Sequence, residues 1–159
     1  MIIRDAQTDD ADAVAEIAVA AWRPIYARLR DFLGDELFDT LHTGWESHKA
    51  EQVRQACDAT ESGAALVADS SDLVVGFVSF YTHTAPVGVI GNNAVHPDFQ
   101  SQGIATRLYE CVLARLREAG MRYARVTTGA DLSYAPARRA YEKVGFEIEA
   151  STVTYYREL

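Results

Sequence analysis

Between residues 87 and 128 the sequence leaves room for little but one local architecture. VGVIGNNAV, residues 87–95, is rich in strand formers and stops before Pro97, and the polar run Gln100-Ser101-Gln102-Gly103 follows it. Ile104, Leu108, Val112 and Leu116 then recur every four residues as far as Gly120, and RYARVTT, residues 122–128, returns to strand-forming residues. Strand, helix and strand joined in this way predict a parallel pair with a right-handed crossover. A ligand is expected at the carboxyl end of the first strand, where loop 96–103 meets the helix N-terminus.

The rest of the chain is arranged around that unit. Residues 2–4 read as a short strand, and Val14, Ile17, Ala18, Ala21, Trp22 and Ile25 form one helical stripe. Pro24 predicts an end or kink of that helix near Trp22, because proline removes a backbone donor. A second helical region spans residues 35–59 with a break at Gly44. AALVADSSDLVVGFVSFYTHT, residues 64–84, reads as an antiparallel hairpin. Residues 135–144 form another helix closed by Gly145, and FEIEASTVTYYREL predicts two final strands.

The expected class is α+β: a mixed, largely antiparallel twisted sheet of about six to seven strands flanked by about four helices. The order is β-α-α-β-β-β-α-β-α-β-β. One domain is expected over residues 1–159.

Composition narrows the function. No apolar run reaches the roughly 18 residues that a membrane span needs, and the first residues lack a secretory leader, so a cytoplasmic location and no membrane partner are expected. Cys57 and Cys111 lie far apart, and His42, His48, His83 and His96 form no ligand pair, so neither a disulfide framework nor a metal site is expected. A net charge of −8 argues against nucleic acid and favours a cationic small molecule, although a solvated surface gives the same charge.

The turn at 100–106 carries the chemistry. A helix leaves its first N–H groups unpartnered at its positive end, so a glycine-bearing entry can wrap donors around a phosphate. Gly103 and the small Ala105 permit the approach, the Thr106 hydroxyl adds a donor, and Gln100 can brace the loop. Neither GxGxxG nor GxxxxGK[ST] occurs, which argues against a dinucleotide fold and a nucleoside-triphosphate loop. Close packing of strand and helix is the competing structural explanation of the small residues.

Gln100, Gly103 and Ala105 match [RQ]-x-x-G-x-[GA], and AVHPDFQ precedes them; here the chain resembles the GNAT superfamily of acyl-coenzyme A dependent N-acyltransferases. APARRAYEKVGF, residues 135–146, resembles the family's A-x-x-x-Y-E-K-x-G-F segment in Ala137, Tyr141, Glu142, Lys143, Gly145 and Phe146. The resemblance implies acetyl-CoA as acyl donor, no metal, and an amine as acceptor. It implies that Ser101, Gln102, Gly103, Ile104, Ala105 and Thr106 hold the coenzyme pyrophosphate, and that Asn93, Ala94 and Val95 bind pantetheine amides. Residues 1–62 become the acceptor side, residues 64–159 the acyl-CoA binding core, and a homodimer stays open.

The implied general acid is Tyr141: a phenol with an ordinary pKa near 10 can donate to a departing thiolate, whose thiol has one near 8.5. Packing of helix on sheet is the other role open to it. Two positions depart from the family. Tyr134 stands where many members have a coenzyme-touching asparagine, and Gly129 where a carboxylate base is common. Tyr134 can still reach the coenzyme. Asp131 offers an alternative base, or simply a helix cap, and His83, Glu46 or a water relay are further candidates. Trp22, Tyr26, Phe32 and Trp45, with His83, could line an acceptor pocket or belong to the core. Arg107, Arg138, Arg139 and Lys143 are candidates for the coenzyme 3′-phosphate. The expected function is acetyl transfer from acetyl-CoA to a primary amine of a small molecule or peptide. The alternative is a non-catalytic acyl-CoA sensing module.

Overall fold

A computed structural model describes all 159 residues. Five strands form one sheet in sequence order: β1 (Ile2–Asp5), β2 (Gly63–Asp69), β3 (Val74–Tyr81), β4 (Val87–Val95) and β5 (Tyr123–Val126). Neighbouring strands are antiparallel except β4 and β5, which are parallel, as a crossover through a helix requires. The helices are α1 (Ala11–Leu33), α2 (Asp35–His42), α3 (Trp45–Ala56), α4 (Ile104–Glu118) and α5 (Ala135–Lys143).

Alternation along the strands divides the core between the two sheet faces. Leu66, Ala68, Val78, Phe80 and Ile90 pack with Ile104, Leu108, Val112 and Leu116 of α4 and Tyr141 of α5. Val67 and Phe77 turn the other way, onto Val14, Ile17 and Ala18 of α1 and Val53 of α3. Each fully buried aliphatic side chain of these layers contributes about 2 kcal/mol. The sheet is thus held between α4 and α5 on one side and α1 and α3 on the other.

Three expectations need correction. Helix α1 does not stop near Trp22 but runs through Pro24 to Leu33. Burial of its first half against the sheet and stacking of Tyr26 on Trp45 from α3 hold both sides of the proline, against a local cost of about 3 kcal/mol. The sheet has five strands rather than six or seven, because residues 146–159 form none. Ile148, Val153 and Tyr155 are exposed there, so strand propensity finds neither a paired edge nor a buried face to hold it. Five α-helices replace the expected four, since Gly44 at φ 70° separates α2 from α3.

Candidate active site

β4 outruns its parallel partner. Pairing with β5 covers Val87–Ile90 against Tyr123–Val126, whereas pairing with β3 continues to Gly76 opposite Val95. Residues 91–95 therefore have a neighbour on one edge only, and the bulge between Val78 and Phe80 lies opposite this stretch. The His96 N–H donates to Val75 O at 2.9 Å. By alternation Ala94 then bonds toward β3, while the N–H groups of Asn93 and Val95 face the open side. The Val95 carbonyl accepts a hydrogen bond from the Gln100 side-chain amide at 3.1 Å, so Gln100 braces the loop that leaves the strand.

That loop delivers the start of α4 beside the opening. Ser101 and Gly103 both have left-handed backbone, with φ of 63° and 78°. Gly103 precedes the first helical residue, and no side chain caps the N-terminus. Ser101, Gln102 and Gly103 are exposed, Ala105 and Thr106 half-buried, and Ile104 buried. A Cβ on Gly103 would meet nothing within 4 Å. Glycine is favoured here by its backbone angle and not by crowding within the protein, so close packing of strand and helix does not explain it.

On the α4 and α5 face of the opening, Tyr141 is only 6% exposed. The Asn93 side-chain amide donates to its hydroxyl oxygen at 3.2 Å. Tyr109 of α4 donates to Asn93 Oδ1 at 2.7 Å, and its ring centroid lies 4.9 Å from that of Tyr141. Burial pushes the Tyr141 phenol above its ordinary pKa, an effect that its bonds with Asn93 and Tyr109 reduce without cancelling. Tyr109 is raised further, by burial and by the neighbouring Tyr141. Both therefore hold their protons at neutral pH. Tyr109 was missed in the sequence, although it sits three and seven residues before Val112 and Leu116 on the buried stripe, where a phenol needs a partner for its hydroxyl.

The opposite face belongs to α1 and α3. Successive strand residues point to opposite faces, so Asn92 turns away from Tyr141 and accepts from Lys49 Nζ at 2.9 Å. Lys49 also donates to Gln52 at 3.0 Å and lies 4.8 Å from the centre of the Trp22 ring. Burial lowers its pKa. Tyr26 stacks on Trp45 with ring centroids 4.0 Å apart, and both line a cleft of about 360 Å³ together with His42, His48, Lys49 and Gln52. Neither histidine of the cleft nor Lys49 was singled out from the sequence. Phe32 is 82% exposed and His83 lies on the exposed β3–β4 connection with its ring against Tyr81, both outside this cleft. Residues 1–62 hold thirteen carboxylates against six Lys or Arg side chains, and residues 63–159 ten against nine, so nearly all the surplus negative charge belongs to the side that forms the cleft.

An open strand edge, an uncapped helix start and a buried protonated phenol meet where β4 leaves β5. The sequence pattern of the Acetyltransferase (GNAT) family matches residues 25–146, which takes in all three. The chain belongs to the GNAT acetyltransferase family. It is an acetyltransferase, and acetyl-CoA is its acyl donor. It is 28% identical over 155 residues, 98% of its length and 91% of the relative's, to an aminoglycoside N(6′)-acetyltransferase type 1 of Stenotrophomonas maltophilia. Its fold is similar to the PaiA N-acetyltransferase of Thermoplasma acidophilum in complex with coenzyme A, with a TM-score of 0.77, 17% identity and coverage of 95% and 92% of the two chains. An aminoglycoside 6′-N-acetyltransferase of Acinetobacter haemolyticus gives a TM-score of 0.67 at 16% identity, with 100% and 99% covered.

In this GNAT acetyltransferase the two positions that depart from the family pattern touch each other. A Cβ on Gly129 would fall 2.3 Å from Tyr134 Cδ2, so the tyrosine ring occupies the space of a side chain at 129. Arg138 clamps the same loop, donating to Gly129 O at 2.6 Å and Asp131 O at 2.8 Å. Arg107 donates to Met1 O at 3.3 Å. Asp131 accepts from Ser133 N–H at 2.8 Å, the capping alternative. Burial raises its pKa, but the Ser133 bonds and the Arg28 charge outweigh burial and hold it below the ordinary value, which suits a cap and not a base. Tyr134 is half-buried and raised in pKa, first by burial and then by Asp131 and Tyr26, and its turn, residues 132–134, packs against α1. No three His, Cys, Asp or Glu side chains gather into a metal-binding group, and no helix is long and apolar enough to cross a membrane.

Proposed function

We propose that this acetyltransferase moves the acetyl group directly onto a primary amine of a cationic small molecule or of a peptide, with Tyr141 as the general acid. Acetyl-CoA supplies an activated acyl carbonyl and a thiolate leaving group. The residues present fit it. The N–H donors of 101–106, uncapped by any side chain, suit a diphosphate, and the outward N–H groups of Asn93 and Val95 suit the amides of an extended arm. Val95 N–H is the donor proposed to polarise the acyl carbonyl.

Tyr141 keeps its proton at neutral pH and lies beside the open edge of β4, as an acid for a departing thiolate must. That single relationship carries the reading. In the reaction the carbon–sulfur bond breaks, a carbon–nitrogen bond forms, sulfur takes the phenolic proton, and a proton shed by the nitrogen restores the phenol through solvent. Acceptor selection is assigned to the aromatic cleft of Tyr26 and Trp45, with Trp22 beneath Lys49, inside an anionic half of the chain. Aromatic faces and surplus carboxylates both favour amine cations. Likeness to a relative named for aminoglycosides supports taking those polyamines as the first candidates.

Thiol release from acetyl-CoA tests the proposal, measured with aminoglycosides, polyamines, amino acids and short peptides. Amine-dependent release is expected, strongest with polycationic primary amines. Release that no amine in the panel accelerates would contradict it.

A further inference from the structure

We propose that Tyr109 and Asn93 are positioning residues that aim the Tyr141 proton into the opening between β4 and β5. The inference rests on the reading of Tyr141 as the acid.

The Asn93 amide has one workable orientation. Its Nδ2 donates to Gly91 O at 3.0 Å, while its Oδ1 receives the Tyr109 hydroxyl at 2.7 Å. Turned over, the amide would set its oxygen against the Gly91 carbonyl, replacing that bond with a repulsive contact. Tyr109 is 3% exposed and holds its proton tightly, so it remains a donor. The second hydrogen of Asn93 Nδ2 is therefore directed at the Tyr141 oxygen, 3.2 Å away.

With one lone pair of its oxygen engaged by that N–H, the Tyr141 hydroxyl keeps its hydrogen free to donate. The protein acceptor within its reach is Asn93 Oδ1 at 3.3 Å, longer than the 2.7 Å bond that Tyr109 already makes to the same atom. This is a weak resting bond, readily exchanged for a charged sulfur. The same Asn93 N–H stabilises the phenolate that remains once the proton has gone. Tyr109 thus acts at one remove: it fixes the amide, and the amide fixes the direction of the phenol.

Steady-state kinetics over a pH series, with melting curves, on Tyr109→Phe, Asn93→Asp and Tyr141→Phe tests this. Tyr109→Phe removes one oxygen and is expected to lower kcat about tenfold with the KM for acetyl-CoA within about twofold. Its alkaline limb should move to higher pH, because the Tyr109 hydroxyl that lowers the Tyr141 pKa is gone. Asn93→Asp offers acceptors only, holds the Tyr141 O–H in a charge-assisted hydrogen bond, and should approach the kcat loss of Tyr141→Phe. If Tyr109→Phe and Asn93→Asp keep kcat within about twofold while Tyr141→Phe loses about a hundredfold, the positioning role fails and the acid role stands. A Tyr109→Phe variant that changes only in melting temperature or KM also overturns the positioning role. Full activity in Tyr141→Phe overturns both.

Discussion

Tyr134 occupies the space that any side chain at Gly129 would need: a Cβ there would fall 2.3 Å from Cδ2 and 2.4 Å from Cε2 of the ring. The two departures from the family pattern are thus one packing arrangement. Gly129→Glu, which would restore a carboxylate, is expected to displace the ring and destabilise the protein by about 2 kcal/mol through overpacking. The double variant with Tyr134→Asn should recover most of that loss. Thermal melts of both variants check this, and equal destabilisation in single and double variants would refute the coupling.

Gly103 holds a φ of 78° before an α4 N-terminus that no side chain caps. Gly103→Ala should cost about 1 kcal/mol in stability from the left-handed backbone alone. Gly103→Glu also sets a carboxylate at the proposed anion site and should weaken acetyl-CoA binding by more than about tenfold in calorimetry. Unchanged affinity in Gly103→Glu would remove the turn from the donor site.

The Tyr141 phenol, raised by burial, must be protonated to donate. Its acid form persists up to and beyond the ordinary phenol value of about 10, so kcat should fall only above that pH. In Tyr141→Phe this alkaline limb should vanish along with most of the rate. A limb in the wild type near pH 8, unchanged by the substitution, would assign the acid elsewhere.

Arg4 ties the entry of α1 to the sheet, contacting Asp10 at 2.7 Å and Asp69 at 3.0 Å. The Arg4 hydrogen bond, against opposing burial, holds the Asp10 carboxyl below its ordinary value, and Asp10 also accepts the Gln7 N–H at 2.8 Å. With the folded pKa below the unfolded one, this contribution is present above about pH 4 and is lost as pH falls through the folded value. Asp10→Asn should therefore cost about 2 kcal/mol at neutral pH. Its deficit against the wild type should shrink in melts near pH 3.

What could be read from the sequence depended on how local each cause is. The α4 stripe of Ile104, Leu108, Val112 and Leu116 is buried as its spacing predicts, and the hairpin and the break at Gly44 follow from local turn chemistry. Pro24 misled because tertiary packing on both sides of it outweighs a local helix penalty. The final strands misled because alternation in residues 146–159 describes a propensity, and a strand also needs an edge to pair with. At the site, the glycine turn and Tyr141 were legible as motif positions. The Asn93 amide, Tyr109 and Lys49 were not, since their meaning lies in contacts between β4 and helices 16 to 48 residues away along the chain.

The most direct measurement is a crystal structure with acetyl-CoA bound. The diphosphate is expected on the N–H groups of 101–106, with the thioester sulfur about 3.3 Å from the Tyr141 hydroxyl, within donor reach. A coenzyme seated elsewhere, or a sulfur turned away while Tyr141 stays bonded only to Asn93, would contradict the assignment.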